Sequence, residues 1–206
     1  MRTKESMVFL KRFIGSPRQV GSVAPSSRFL TGAMLGRVDW KNAGAIAELG
    51  AGTGVFTREI VKRARPDAKI LVFEVDPELQ KLIKDEHPYH PGLKLYGDAQ
   101  ELLSIMKDEG IDKLDFVISS LPFTVLPHDM SDNILSAVQS ALKPDGHFVA
   151  YQYSSIMKHT LEARFSNIKT KFVFLNIPPA FVYDCVNAVS KPAAGAAGIS
   201  AGDEIG

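Results

Sequence analysis

Cysteine and tryptophan are almost missing from this sequence, with one of each in 206 residues. Cys185 stands in the apolar run FVYDCV with no second thiol to bridge and no companion ligands for a metal. It therefore reads as a small buried hydrophobe, and a lone cysteine accords with a reducing compartment. Long apolar runs are lacking too: nothing approaches the roughly 18–20 residues that span a bilayer. The basic residues and short apolar stretch at the N-terminus are followed by no signal-peptide cleavage pattern. Nor does either charge dominate, with 24 Lys and Arg against 23 Asp and Glu. The length suits one domain with a sizeable core and is short for two. These features lead to the expectation of a soluble or peripheral protein of one α/β domain.

The near-zero net charge hides an asymmetry. Residues 1–41 carry Arg2, Lys4, Lys11, Arg12, Arg18, Arg28, Arg37 and Lys41 against Glu5 and Asp39, leaving the rest of the chain acidic. A basic leading segment on an acidic body points to an anionic partner, either phospholipid or nucleic acid. Within that segment residues 3–14 read as an amphipathic helix. Met7, Phe9, Leu10, Phe13 and Ile14 share one arc, Lys4, Glu5, Lys11 and Arg12 the other, and Val8 breaks the pattern. Gly15, Ser16 and Pro17 end it, PRQVGSVAPSS (17–27) is a loop of small residues, and a second helix covers roughly 27–37.

From residue 44 the rhythm becomes strand, turn, helix, repeated. The strands expected are 45–49, 69–75, 93–99, 114–120, 146–153, 168–176 and 180–188. Helices fall between them, with Pro77 at a favoured first-turn position and a KPDG turn ahead of the fifth strand. Alternating β and α units predict an open parallel sheet covered on both faces. Only Ile177, Pro178 and Pro179 separate the last two strands, too few for a crossover, so that pair is predicted antiparallel.

The chemistry-bearing signal is Glu48-Leu49-Gly50-Ala51-Gly52-Thr53-Gly54, directly after the first strand. Glycines there let the backbone turn sharply and approach a ligand at the carboxyl ends of the strands. A P-loop is excluded because no Gly-Lys-Ser/Thr ending follows. A dinucleotide fingerprint is excluded because Val55 stands where its third glycine belongs. An acidic residue two before the first of alternating glycines matches class I methyltransferases instead. Glu74, at the end of the second strand, is placed to accept hydrogen bonds from both hydroxyls of a ribose. Asp98, in Gly97-Asp98-Ala99 after the third strand, is placed to meet an adenine amino group. The fourth strand ends in Ser119-Ser120-Leu121-Pro122-Phe123, a polar, proline and aromatic sequence suited to holding an acceptor amine. The plainer reading of that element is a strand-terminating proline followed by a core phenylalanine.

Together ELGAGTG, GDA and SSLPF resemble the rRNA adenine dimethylase superfamily. FLKRFIGSPRQVGSVAPSS and NIPPAFVY make the chain more similar to its bacterial phospholipid N-methyltransferase branch, which methylates phosphatidylethanolamine. The likeness spans roughly residues 7–187. It implies a Rossmann-like seven-stranded methyltransferase sheet, mostly parallel with an antiparallel last strand, behind an N-terminal helical extension. It implies S-adenosyl-L-methionine as cofactor and S-adenosyl-L-homocysteine as product. Gly21 and Ser22 then approach the cofactor from the N-terminal loop, beside Glu48, Gly50, Ala51, Gly52, Gly54, Glu74, Asp98, Ala99 and Ser119. Ser120, Pro122 and Phe123 line the acceptor site, and no metal is expected. Adenine dimethylases usually have asparagine where Ser120 stands, and one hydroxyl cannot both donate and accept like an amide at fixed geometry. RNA methylation is thereby disfavoured.

The expected organisation is a helix, cofactor-covering loop and second helix over 1–43, a methyltransferase domain over 44–188, and a disordered tail over 189–206. The expected function is methylation of the ethanolamine headgroup of a membrane phospholipid. The protein is then cytoplasmic, peripheral on the inner face of the cell membrane through its N-terminal helix. A small-molecule N- or O-methyltransferase and an rRNA adenine N6-methyltransferase stand as alternatives. His128, His147, His159 and Asp129 carry no signal that would make any of them a general base.

Overall fold

Local sequence sets most of the element boundaries. In the computed structural model, which describes residues 25–187, the first helix is α1 (Pro25–Leu35). The helix expected at 3–14, most of the 17–27 loop with Gly21 and Ser22, and the tail at 189–206 lie outside the described residues. After α1 come β1 (Ala45–Leu49), α2 (Val55–Arg63), β2 (Lys69–Phe73) and α3 (Pro77–Glu86). The Asp76 carboxylate accepts from the Glu78 N–H at 2.9 Å and Pro77 follows it, so α3 starts as an N-capped helix with proline in its first turn. β3 (Leu93–Tyr96) leads through a 3-10 turn, Ala99–Glu101, into α4 (Leu102–Asp108).

The second half holds β4 (Leu114–Ser119), α5 (His128–Ala141), β5 (Leu142–Gln152), α6 (Met157–Glu162), β6 (Asn167–Val173) and β7 (Ala180–Val186). The seven strands form one sheet in the order β3-β2-β1-β4-β5-β7-β6. β1 to β5 run parallel, and β7 lies antiparallel between β5 and β6. The predicted strand–helix alternation and the antiparallel final pair are what the chain adopts.

All strands but β1 end one to three residues short of their expected bounds, and two elements start three or more residues early. α5 begins at His128, three residues before the helix that the sequence pattern predicts over 131–142, because the turn after Pro122 delivers the chain directly into it. β5 begins at Leu142, ahead of the KPDG turn. Leu142 pairs with Leu114 while His147 pairs with Phe116, so the extra residues are taken up as a register shift inside the strand. Gly146 is required there, since a side chain would stand 3.0 Å from the Lys143 nitrogen and 3.1 Å from the Leu114 oxygen.

Alternation along the strands fills two cores. Ala47, Leu49, Val117 and Phe148 pack with Leu102, Leu135, Val138 and Leu161 of α4, α5 and α6. Ile46, Ile70, Ile118 and Val149 face the other way, onto Met34 and Leu35 of α1, Ile60 of α2 and Ile83 of α3. α1 is further tied to the sheet where Arg37, just past its end, meets Asp184 of β7 at 3.5 Å. The same carboxylate bonds His147 at 2.6 Å. Among the described residues no helix is long and apolar enough to cross a membrane.

If α1 is an integral layer of the domain, truncating its buried face must cost as much as truncating a core strand. Met34→Ala is expected to lower unfolding stability by about 2–5 kcal/mol. Phe29→Ala, at a 38% exposed position, is expected to cost about 1 kcal/mol or less. Urea titrations of the two variants check this.

Candidate cofactor and acceptor site

In a sheet with this order the chain reverses direction of travel between β1 and β4, and the loops leaving those two strands part to either side. Ligands of open α/β sheets bind in the crevice so formed, outside the carboxyl ends of the strands. Leu49 and Ser119, the last residues of β1 and β4, are paired neighbours, and the Ser120 N–H donates to the Leu49 carbonyl at 2.9 Å. The glycine turn and the SSLPF element thus leave the sheet side by side. From β2, the Phe73 carbonyl accepts the Gly50 and Ala51 N–H groups at 2.8 and 3.1 Å. The Glu74 N–H reaches the Tyr96 carbonyl at 2.9 Å, so the ends of four strands are laced together.

The glycines have different reasons to be glycine. A side chain on Gly50 would come within 2.8 Å of the Leu121 side chain, so this position is small to let the turn pack against the acceptor loop. Gly54 starts α2 in a left-handed conformation and sits against Ile83. At Gly52, with φ +58°, a side chain would meet nothing within 4 Å. Gly52 alone of the three borders open space, and its left-handed backbone is one that side chains resist. Ala51, between them, is buried.

Two buried carboxylates hold this turn. Glu74 accepts the Gly52 N–H at 2.7 Å on one oxygen and the Asp76 N–H at 2.9 Å on the other. Each oxygen keeps a lone pair for a ligand hydroxyl. Burial pushes the Glu74 carboxyl up, against the two backbone N–H groups that favour its charge. Glu48 is fully buried on β1 and accepts the Thr57 hydroxyl of α2 at 2.7 Å. Its other oxygen, Oε1, has no partner among the described residues. Burial pushes Glu48 up to about 8, with the Thr57 bond opposing and the Glu74 charge adding to the rise. Asp98 caps the 3-10 turn, accepting the Gln100 N–H at 2.9 Å, and Ala99 is buried as its first residue.

On the acceptor side Ser119 is fully buried, its hydroxyl accepting the Leu121 N–H at 3.2 Å. Pro122 opens a turn whose carbonyl receives Val125 and Leu126 N–H groups. Phe123 is 4% exposed and packs edge-on to Phe148 with ring centroids 6.1 Å apart, so its ring lies within the core beneath the loop. The aromatic beside Ser120 is Tyr151 of β5, whose ring centroid lies 5.6 Å from that of Tyr153. Burial and the neighbouring Tyr153 push the Tyr151 phenol up, keeping it protonated at neutral pH.

Sequence reasoning did not single out two side chains that hold the site together. Gln152 is buried at the end of β5 and donates to the Leu121 carbonyl at 2.8 Å, pinning the acceptor loop. A glutamine inside the apolar run FVAYQY was the available signal, because a buried amide needs a partner. Gln80 of α3 donates to the Glu74 and Tyr96 carbonyls, and nothing in a helical pattern announces that. His147 lies on β5 beside Phe116, away from the strand end, and His159 is exposed near Glu162. Among the described residues no cluster of His, Cys, Asp or Glu could hold a metal ion.

An open cradle at Gly52, an unpartnered buried oxygen on Glu48 and acidic groups after β2 and β3 fit a ligand carrying amine, ribose hydroxyls and adenine. The fold and this donor set define a class I S-adenosylmethionine-dependent methyltransferase. Residues 46–146 match the family described as "Methyltransferase domain". The chain is 32% identical over 185 residues to an ornithine lipid N-methyltransferase of Singulisphaera acidiphila, covering 88% of this chain and 96% of that one. It belongs to the class I methyltransferase family, and S-adenosylmethionine is its cofactor. A probable ribosomal RNA small subunit methyltransferase A of Thermococcus sibiricus is 30% identical over 100 residues, 48% of this chain and 36% of that one. Among solved structures, the N-methyltransferase NodS from Bradyrhizobium japonicum with S-adenosyl-L-homocysteine superposes at a TM-score of 0.67. At 12% identity, over 90% of this chain and 98% of that one, it shares the fold.

Two outcomes follow from the geometry. Gly52→Ala should weaken S-adenosylmethionine binding at least tenfold in calorimetry, whereas Gly50→Ala should mainly lower the melting temperature by crowding Leu121. Glu48 is raised in the folded protein above its ordinary value of 4.5, to about 8. The native state therefore holds a proton that the unfolded chain has lost, and stability should fall as pH rises from about 4.5 to about 8. Glu48→Gln, which carries no titrating proton, should flatten this decline in melting curves taken across that range.

Proposed function

We propose that the protein N-methylates the primary amine of a membrane-lipid headgroup, the chemistry shared by phosphatidylethanolamine and ornithine lipids. The observation that carries this reading is the near end-to-end match to an ornithine lipid N-methyltransferase. When bound, S-adenosylmethionine supplies an electrophilic methyl group on a sulfonium. The turn at Gly52, Glu74 and Asp98 holds that cofactor, with Glu48 Oε1 accepting from its amino group. Ala99 and Ser119 border it, and the family resemblance adds Gly21 and Ser22 to the same site.

The acceptor amine sits at the mouth formed by Ser120, Pro122 and Tyr151. The Ser120 hydroxyl and nearby backbone carbonyls accept its N–H groups and aim its lone pair. Tyr151, protonated and beside Ser120, offers a ring to the cationic product. Phe123 supports the loop from below, and its electron-rich ring adds to the same field. Rate acceleration in such a site comes mainly from alignment of the two reacting groups. In this reading the basic, amphipathic sequence at 3–14 brings the enzyme to an anionic membrane surface, and the cytoplasmic face of the cell membrane is its proposed location.

Incubating the protein with methyl-labelled S-adenosylmethionine and a total lipid extract, then separating the products, tests the reading. Label in methylated phosphatidylethanolamine or ornithine lipid supports it and says which headgroup is used. Label absent from lipid but present in RNA or in a water-soluble amine overturns it. Tyr151→Phe should lower kcat about tenfold while leaving cofactor affinity within twofold, because it lies on the acceptor side of the site. Steady-state kinetics with a soluble short-chain lipid checks this.

A further inference from the structure

The turn between β6 and β7 carries apolar side chains that no core uses. Phe174, Leu175 and Ile177 are 73%, 57% and 86% exposed, and Phe172 before them is half exposed. Their backbone is nonetheless firmly built. Val173, Asn176 and Ala180 are buried, and the Asn176 amide donates to the Pro178 carbonyl at 2.7 Å. The turn therefore presents these side chains outward while its own polar groups are satisfied.

Its place in the sheet matters. Because Gln152 pairs with Phe181 and Val173 with Ala180, the turn projects at the carboxyl end of β5. That is the end where Tyr151 meets Ser120. Two further exposed apolar residues, Tyr153 and Ile156, leave β5 at the same edge. Apolar groups from two separate segments thus gather beside the acceptor mouth.

Charge is arranged to match. Lys169 and Lys171 are exposed on β6 behind the turn, and Arg28 is exposed on α1, which packs against β6. Between residues 163 and 187 the sequence has a single acid, Asp184, which is itself buried and paired with His147 and with the exposed Arg37. The opposite edge of the sheet is mixed, with Glu78, Asp85, Glu86, Glu101 and Asp108 interspersed with Lys81, Lys84 and Lys107 on or beside α3 and α4, and Asp85 and Glu86 paired with Lys81 and Arg58. Lys171 precedes Phe174 by three residues, about 10 Å of extended chain at ~3.3 Å per residue. That is the distance between a phosphate layer and an acyl boundary entered to about 5–10 Å.

We propose that the β6–β7 turn is a membrane anchor: Phe174, Leu175 and Ile177 enter the acyl region, Tyr153 and Ile156 lie at its boundary, and Lys169 and Lys171 meet anionic headgroups. The occupant is a bilayer, because apolar side chains from separate segments around a projecting turn are surrounded together by a fluid medium. A folded partner would have to be shaped to all of them. The anchor rests on the lipid reading above in that it sets the acceptor mouth against the surface that holds the substrate.

The test uses the full chain in a Trp40→Phe background, which removes its one tryptophan, with Phe174→Trp added as a reporter. The vesicles are phosphatidylglycerol and phosphatidylcholine, part of them brominated in the acyl chains, with no amino lipid present. Blue-shifted, bromine-quenched emission is expected for this reporter, and none for a Leu82→Trp reporter on α3 at the opposite edge. A Phe174→Ser/Leu175→Ser protein should bind the vesicles at least tenfold more weakly. Its melting temperature and its turnover of a soluble short-chain amino lipid should stay unchanged. Unquenched emission, or undiminished binding by the double variant, overturns the anchor. So does sedimentation showing a dimer that the double variant abolishes, since the turn would then be covered by a second copy. Lipid methylation that persists without quenching sinks the anchor alone. Quenching without any lipid product leaves the anchor standing and removes the substrate reading.

Discussion

One carboxylate governs the geometry of the cofactor side. Glu74 leaves β2 and takes the Gly52 N–H on one oxygen and the Asp76 N–H on the other. The first bond sets the height of the glycine turn; the second sets the entry to α3, whose Gln80 then closes on the ends of β2 and β3. Such charge-assisted bonds are each worth about 1.5–3 kcal/mol, enough to keep a turn in a backbone conformation it would otherwise leave. The acceptor side depends on it indirectly, because Gly50 in the same turn packs on Leu121. Cofactor turn and acceptor loop consequently behave as one unit, with Gln152 fastening it from β5.

Holding that unit against burial has an electrostatic cost at Glu48. A carboxyl group with one oxygen bonded to Thr57 and the other unpartnered is kept neutral well into the range where free glutamate is charged. Its neutrality also relieves Glu74, whose charge is one cause of the shift. The pair is poised so that a cationic group arriving near Oε1 would favour ionisation.

Much of this architecture was legible from the sequence because it is written in local signals. Apolar runs of four to seven residues, each followed by a turn and an amphipathic stretch, locate the five parallel strands. A connection too short for a crossover forces the final pair to be antiparallel. The carboxylates at 48, 74 and 98 were readable because each stands at a strand end. What could not be read depends on contacts between distant segments. That Gly50 is small for Leu121, and Gly54 for Ile83, follows only from packing. The burial of Phe123 against Phe148 is of the same kind. The start of β5 before KPDG escaped because a turn signal cannot say whether the strand beyond it absorbs the turn as a register shift.

The insertion of β7 between β5 and β6 also dictates an order of assembly during synthesis. β6 leaves the ribosome before β7, yet its hydrogen-bonding neighbour in the sheet is β7 alone. β1 to β4 can meet as a parallel sheet while the chain is still growing, so the glycine turn and its carboxylates can take shape on a nascent protein. β6 must wait as an unpaired strand, with Ile168 and Val173 uncovered, until the residues after Pro179 are made. The nascent enzyme is thus at its stickiest late in translation, and a chaperone or a nearby membrane surface would find its best target in that interval.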